Sequence, residues 1–546
     1  MKNSFDLSST TQSPSPTDQI DEDARITNGN GPSGEWGNST LATSIETPKA
    51  SSVQIGRSRP PLELEDLPTP EEVFRVKHIG LEELILLVLG PGLIALGISI
   101  GSGAWLYGPL IIGLHGFKGL FWVVLVSTVL QVFYNVELAR FTIATGESPI
   151  LAFGRTPPGF YLWIPLALIC LYMAFILGGW TVNAGSSLFA LITGRSNTVE
   201  ELETVRLIGI GLLLTIFFIT LIGRKIERTM EAVQGIFLPF VLVGLVFVTL
   251  VVVPLDFWGQ ALTWLFIPSR SPGETGVSLL GALAGFSALA SGLNFMFIGY
   301  YRDKGYGMGH KTGYIASWFS KGQSALSPQG KTFSEGDRNT VLWNRWFRYL
   351  LVDQWGIYFV GALVGMVVPC ILVGYLLSVS VDVTPDQTSI MTYASIQLSQ
   401  RYGSLLAGWA LLVGFMILYT TQIGILELLV RNMTDSVYGV SHRLRRWVGN
   451  DPRKFYYPFM LFLIFVIGIL VHQTFSERWV EISANLYNLA GMIFPLVTIY
   501  LNRQLPRPAR ITWWSYLVLL ANVLFFGFFF INFLYLLLTG TPLVRI

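Results

Sequence analysis

The chain has 546 residues, of which 52% are apolar and 13% charged, with a formal net charge of +2. The charged share is about half that of a soluble domain, and so much apolar surface could not all be buried, which excludes a soluble globular enzyme and a disulfide-stapled secreted domain. The near-neutral charge gives no overall field for nucleic acid, and Cys170 and Cys370 lie in apolar runs without metal-ligand or disulfide spacing. A polytopic membrane protein remains.

Residues 1–72 read as a disordered cytoplasmic tail. The first 70 hold ten acidic residues against five Lys or Arg and are rich in Ser, Thr, Pro, Asn and Gly. Burial could not offset the ordering entropy of such a segment. No apolar h-region follows a basic start, so it is not a signal peptide.

Residues 73–546 form the expected transmembrane core. Apolar stretches of about 20 residues recur, each able to cross a hydrocarbon core of ~30 Å as a helix. They lie at about 83–112, 119–142, 161–191, 206–222, 232–254, 276–300, 354–378, 404–430, 456–472, 479–501 and 512–538. These eleven spans predict an all-α integral membrane protein. With the N-terminus inside and the tail left out, inside loops and helix ends carry 22 Lys or Arg and outside ones seven. That excess fits the positive-inside rule and places the C-terminus outside.

The longest connection, 301–353, falls inside. It opens on Tyr306-Gly-Met-Gly-His310 and closes with Trp343, Trp346 and Phe347 beside Arg345 and Arg348. The closing pattern predicts an amphipathic helix lying at the interface. The glycines are not a phosphate loop, because no Gly-Lys-Ser/Thr ending and no strand accompany them.

Two spans carry a small, polar break. Span one reads Gly97-Ile-Ser-Ile-Gly101-Ser102-Gly103-Ala104, and span six reads Ala288-Leu-Ala-Ser291-Gly292-Leu293-Asn294. Spans one and six are corresponding members of two five-helix halves. Matched interruptions of this kind point to an inverted-repeat transporter, since unwound backbone at membrane depth is tolerable only in protein or around a site. Close helix packing on Ser and Gly is the alternative. The expected site is therefore Gly101, Ser102, Gly103, Ser291, Gly292 and Asn294, the first five offering backbone groups and hydroxyls, the last its amide.

The core, from about residue 88 to 538, resembles the natural-resistance-associated macrophage protein (Nramp) family of proton-coupled divalent-metal transporters, within the amino acid–polyamine–cation superfamily. Gly90-Pro-Gly92 looks like that family's opening of helix one. Leu130-Gln131, Leu138-Ala-Arg140 and Ile143-Ala-Thr-Gly146 resemble the end of helix two, and Gly223-Arg-Lys-Ile-Glu227 the junction of helices four and five. Pro495 and Asn502-Arg503 are also similar. The resemblance implies a leucine-transporter-type fold: a 5+5 inverted repeat with discontinuous helices one and six, plus one C-terminal helix. The metal motifs depart from the family. Its Asp-Pro-Gly-Asn matches Gly101 to Ala104, and its Met-Pro-His-Asn matches Ser291 to Asn294, so only Asn294 persists. Helix three carries no acidic residue for a proton path. A dehydrated divalent cation needs anionic or several oxygen ligands. The half-helices starting after Gly103 and Gly292 instead aim positive dipole ends at the cavity, which suits a carboxylate or zwitterion.

Thr420 and Thr421 in span eight are similar to the hydroxyl pair that joins helix-one carbonyls around Na⁺ in sodium-coupled carriers of this fold; bonding to their own helix is the alternative. Glu137 with Arg140, and Glu427 with Arg431, have same-face spacing near inner helix ends and read as structural pairs or gate elements rather than proton carriers. Asn183, Asn485, Tyr487 and Asn488 are further polar groups. Asn485 and Asn488 are expected either to line the cavity or to bond between helices, and Gln131 and Asn135 to tie helices together.

The expected function is a secondary transporter of the plasma membrane, moving a small organic solute by alternating access on an ion gradient, Na⁺ or H⁺. No other cofactor is expected. A divalent-metal transporter using backbone and hydroxyl ligands, or a non-transporting sensor or scaffold, is the alternative. An enzyme is not expected: His78, His115, His310, His442 and His472 all fall at loops or helix ends, and no catalytic motif occurs. The expected partners are the lipid bilayer and a small solute or metal ion, with no nucleic acid and no obligate protein.

Overall fold

The computed structural model describes residues 52–53, 62–101, 108–177, 180–195, 197–269, 277–320, 326–327, 329–379, 397–472, 477–541 and 543. The described residues are mostly helical. Its first helices are α1 (Pro70–Phe74), α2 (Leu81–Val88), α3 (Pro91–Ser99), α4 (Gly108–His115) and α5 (Phe121–Thr145). Next come α6 (Phe160–Leu177), α7 (Trp180–Thr193), α8 (Leu202–Leu221), α9 (Ile226–Val252) and α10 (Leu255–Phe266). α11 (Val277–Phe286), α12 (Ala290–Phe297) and α13 (Gly299–Lys304) follow, then α14 (Asp337–Leu351) and α15 (Val360–Ser378). The last long helices are α16 (Ser404–Val440), α17 (Arg453–Leu470), α18 (Glu477–Asn502) and α19 (Trp513–Thr539), and short helical turns lie at Pro149–Phe153, Gly309–Thr312 and His442–Trp447.

Among the described residues eight helices are long and apolar enough to cross a membrane, or nine if the bent pair α2–α3 counts as one span. The eight fill spans two, four, five and seven to eleven. Spans one and six are built from shorter pieces, and span three is described as α6 and α7. Apolar side chains point outward: Phe218, Val243, Phe247, Phe465 and Leu524 are exposed. Polar ones point inward: Gln131, Asn135, Glu427, Arg431 and Asn488 are fully buried. That inversion suits a hydrocarbon solvent, where polar groups must find partners inside the protein.

Three expectations about organisation change. Residues 62–72, assigned to the tail by composition, take part in the described packing. Leu62–Glu65 pairs in parallel with Lys331–Phe333, and Thr69 caps α1 through a reciprocal bond with Glu72. The aromatic stripe of α14 is covered by the chain itself. Trp343 and Trp346 are buried, the Trp346 indole donates to the Pro68 carbonyl at 3.0 Å, and Phe74 packs on Trp346 and Tyr306. The amphipathic face thus receives residues 62–74, and α14 continues through a π-helical stretch, Val352–Phe359, into α15.

The third change concerns span six. Its helix stops at Phe286 and resumes at Ala290. The break is Ser287–Leu289, with Ala288 in the left-handed region (φ 60); Ser291 and Gly292 lie in the first turn of α12. Span one breaks after Ser99, as expected, and Ser102, Gly103 and Ala104 lie outside the described residues.

Helix ends assigned to one side meet at one face. Arg431 pairs with Asp303, Lys304 with Glu231, and Asn502 with Glu137. The glycine-rich stretch after α13 packs its backbone against the end of α5: the Met308 amide donates to the Ile143 carbonyl at 2.9 Å. Gly146 (φ 65) ends α5, and a Cβ there would lie 2.6 Å from the Met308 carbonyl oxygen.

Candidate functional site at the broken helices

The two interruptions are held by side chains from neighbouring spans. In span one the Gly97 carbonyl loses its intrahelical partner because α3 ends two residues later. Thr421 on α16 donates its hydroxyl to that carbonyl at 3.1 Å. A Cβ on Gly101 would lie 2.5 Å from Thr421 Cγ2 and 2.9 Å from its hydroxyl oxygen. Gly101 and Thr421 are therefore brought together, and only a residue without a side chain fits. Thr420 turns back to the Ile417 carbonyl of its own helix at 3.1 Å, so the paired arrangement of hydroxyls reduces to one.

In span six a single amide bridges the break. Gln131 on α5 donates Nε2 to the Ser287 carbonyl at 2.5 Å and accepts the Leu289 amide on Oε1 at 3.2 Å. Ser127, one turn earlier, donates to the Ala284 carbonyl at 2.7 Å. Backbone groups freed by the kink are thus satisfied by span two, the tie expected of Gln131. Asn294 donates to Asn135 Oδ1 at 2.5 Å, and its own Oδ1 is buried without a partner among the described residues. Gly292 faces Tyr487 Cδ1 and the Cys170 carbonyl, each 3.7 Å from a notional Cβ. α12 packs against α3, so both breaks share one region of the core.

Gln234, on α9, was not singled out in the sequence. It donates to the Thr420 carbonyl at 3.1 Å, its Oε1 has no partner among the described residues, and its amide fills the space a Cβ on Gly97 would need. A lone amide near the start of the largely apolar span five is the signal that could have found it. The asparagines of span ten bond between helices: Asn485 donates to the Ser278 carbonyl at 3.0 Å and Asn488 to Gly281 at 2.8 Å.

At the face where helix ends meet, two charge clusters lie near the foot of span one. Asp353, in the π-helical stretch, accepts the Gly90 amide at 3.1 Å, the Gly92 amide at 2.7 Å and the Tyr301 hydroxyl at 2.5 Å. A carboxylate there stabilises the start of α3, whose first amides are otherwise unpaired. Glu427 and Arg431 pair at 2.8 Å, and the network extends to Asp303, Arg302 and Asp435, all essentially unexposed. Tyr300 and Tyr456 donate to Glu427. Elsewhere Glu137 binds Arg140 at 2.9 Å and accepts Asn502 at 3.1 Å and Ser515 at 2.7 Å. That pair ties α5 to the last two helices, away from both breaks.

No family model matches the chain, and no curated relative matches it. Solved structures do. A manganese transporter of Eremococcus coleocola, in complex with an aromatic bis-isothiourea substituted compound, superposes with a TM-score of 0.52 at 15% identity, over 85% of this chain and 90% of that one. MhsT in complex with L-phenylalanine superposes with a TM-score of 0.52 at 14% identity, over 81% and 97%. The chain therefore has the leucine-transporter-type fold that the resemblance implied.

Proposed function

We propose that this chain is a secondary transporter that moves a small organic solute by alternating access, through a site between the broken spans one and six. The observation that carries the proposal is the Gln131 bridge across Ser287–Leu289, beside the buried, unpartnered oxygen of Asn294. A kink that costs two helix bonds is kept open at membrane depth by a dedicated side chain, and acceptors are left waiting beside it. The first turn of α12, at Ser291 and Gly292, offers free amides and a positive dipole end to a carboxylate. The oxygens of Asn294 and Gln234 suit a donor such as an ammonium group. Together they favour a zwitterion. Gly101, Ser102 and Gly103 would supply the matching backbone groups of span one.

The drive would be an ion gradient. The Thr421 hydroxyl on the Gly97 carbonyl marks the place where Na⁺ would be held among oxygens, with Thr420 contributing only its backbone. The Asp353 cluster and the Glu427–Arg431 network would form the inner gate, on the cytoplasmic side of a plasma membrane with the N-terminus inside and the C-terminus outside. Glu137 and Arg140 would stay paired throughout. No enzymatic step and no nucleic-acid or obligate protein partner is part of this reading.

A divalent metal ion is the second reading, favoured by the manganese transporter among the structural neighbours. The residues speak against it: among those described, no three His, Cys, Asp or Glu side chains group so as to hold a metal ion. Uptake into proteoliposomes tests the choice. Na⁺-dependent uptake of an amino acid or small carboxylate, lost in Asn294→Ala, is expected, and saturable Mn²⁺ uptake is not. Mn²⁺ uptake under an inward proton gradient would overturn the organic-solute reading.

A further inference from the structure

A cavity of about 620 Å³ opens beside the foot of span one, and its lining contains none of the residues of the two breaks. Its walls come from four elements: the end of α1, α2, the start of α9 with the loop before it, and α13 with the turn after it. The cavity is strongly and unevenly charged. Six Lys or Arg side chains line it (Arg75, Arg224, Lys225, Arg228, Arg302 and Lys304) against three acids, Glu227, Glu231 and Asp303. Each acid has a cation within 4 Å, although Glu227 Oε1 has no hydrogen-bond partner among the described residues. Lys304 takes Glu231 and lies 3.8 Å from Glu227, and Arg302 takes Asp303 at 2.7 Å.

Six cations against three acids leave a positive excess among the described lining residues. Arg75, Arg224 and Arg228 are exposed and form no ion pair among the described residues. Lys225 rests on a neutral carbonyl, that of Asp303, at 2.8 Å and lies over the Tyr314 ring. Desolvation by the cavity walls pushes the His310 imidazole below its usual pKa, so it adds little charge at neutral pH. Like charges held this close repel one another unless an anion sits between them.

The cavity's other border is apolar. Leu86 lines it, and Leu86, Ile85 and Leu81 present one exposed face of α2 beside it, while Ile222 is exposed next to Gly223 and Arg224. In a membrane protein such a face meets acyl chains. Basic side chains immediately above an acyl-chain surface are placed for a lipid phosphate.

We propose that this cavity binds the headgroup of an anionic phospholipid carrying more than one negative charge. Its phosphates would sit among Arg75, Arg224, Lys225 and Arg228, and its acyl chains would run down Leu86 and Ile85. A headgroup bound there joins residues 73–75, the start of α9 and α13.

The test uses the full chain in nanodiscs of phosphatidylcholine with or without phosphatidylinositol 4,5-bisphosphate as the probe, read by native mass spectrometry of retained lipid. Wild-type protein is expected to retain the bisphosphate lipid over phosphatidylcholine. The double variant Arg224→Gln/Arg228→Gln is expected to retain it about thirty-fold less, since each surface basic residue contributes roughly five-fold. Arg443→Gln/Arg446→Gln, which removes the same charge from exposed positions elsewhere on the chain, is expected to leave retention unchanged. Equal loss in both double variants would overturn the site, as would no lipid preference in wild type. Full displacement by soluble inositol trisphosphate at equal concentration would overturn the lipid assignment, because the acyl chains would then contribute nothing.

Discussion

The Asp353 carboxylate accepts the Gly92 amide at 2.7 Å across 261 residues of sequence. A Cβ on Gly92 would lie 2.7 Å from the Asp353 carbonyl oxygen and 2.8 Å from Oδ2. The Gly-Pro-Gly opening of span one thus serves as a socket for a carboxylate from the other half of the fold. Asp353→Asn should lower stability by about 2 kcal/mol, the worth of a charge-assisted bond. Gly92→Ala should be destabilising in the wild type and add less in the Asp353→Asn background. Thermal unfolding in detergent, run as a double-mutant cycle, reads the coupling; strict additivity would show that the two residues do not act together.

Gln131→Leu keeps the side-chain volume and removes both bonds to the span-six break. The Ser287 carbonyl and Leu289 amide would be left unpaired in an apolar setting, at about 1–3 kcal/mol each. A fall in melting temperature together with loss of solute uptake is expected. Wild-type stability would mean that the break satisfies itself.

The two threonines of span eight should separate. Thr421→Val removes the bond to Gly97 and should weaken Na⁺-dependent stabilisation or uptake by ten-fold or more. Thr420→Val removes only a bond within its own helix and should change either by less than about two-fold. Equal effects would refute the assignment of the ion to the Thr421 side.

Arg431 answers two buried acids at once, Glu427 and Asp303. Arg431→Gln would leave Glu427 without a cation and Asp303 with Arg302 alone, and should cost about 3–5 kcal/mol. The double variant Arg431→Gln/Glu427→Gln should recover part of that loss. Melting temperatures of the three proteins decide it; no recovery would mean that the packing of the guanidinium, stacked 4.4 Å from the Tyr300 ring centroid, matters more than its charge.

The attachment of residues 62–74 should weaken in acid. The hydrogen bond from the Lys331 ammonium holds the Glu65 carboxyl below its ordinary value of 4.5 and raises that of Lys331. A lowered carboxyl contributes stability above the unfolded value and loses it as pH falls through the folded one. The pair is partly exposed, so about 1 kcal/mol or less is at stake. Hydrogen exchange of 62–65, corrected for intrinsic rates, should be flat from pH 5 to 8 and faster below pH 4. Glu65→Gln should be insensitive to this change.

Much of this protein is written locally. Hydrophobic length set the spans, because a helix must cross a fixed hydrocarbon thickness and bond its own backbone. The matched small and polar interruptions marked spans one and six, because such residues are costly at membrane depth unless they are used. Partnership was not local. That Gln131 bridges Ser287 and Leu289, that Asp353 meets Gly92, and that Phe74 and Pro68 cover Trp346 depends on segments brought together from opposite ends of the chain. The position of the kink in span six also escaped the pattern: Ser-Gly marked residues 291–292, but Ala288 took the left-handed conformation, because the Gln131 amide is placed to bond the backbone on either side of it. Sequence fixes which groups must find partners in a membrane; only the tertiary structure decides which partners they find, because a buried hydrogen bond requires position as well as chemistry.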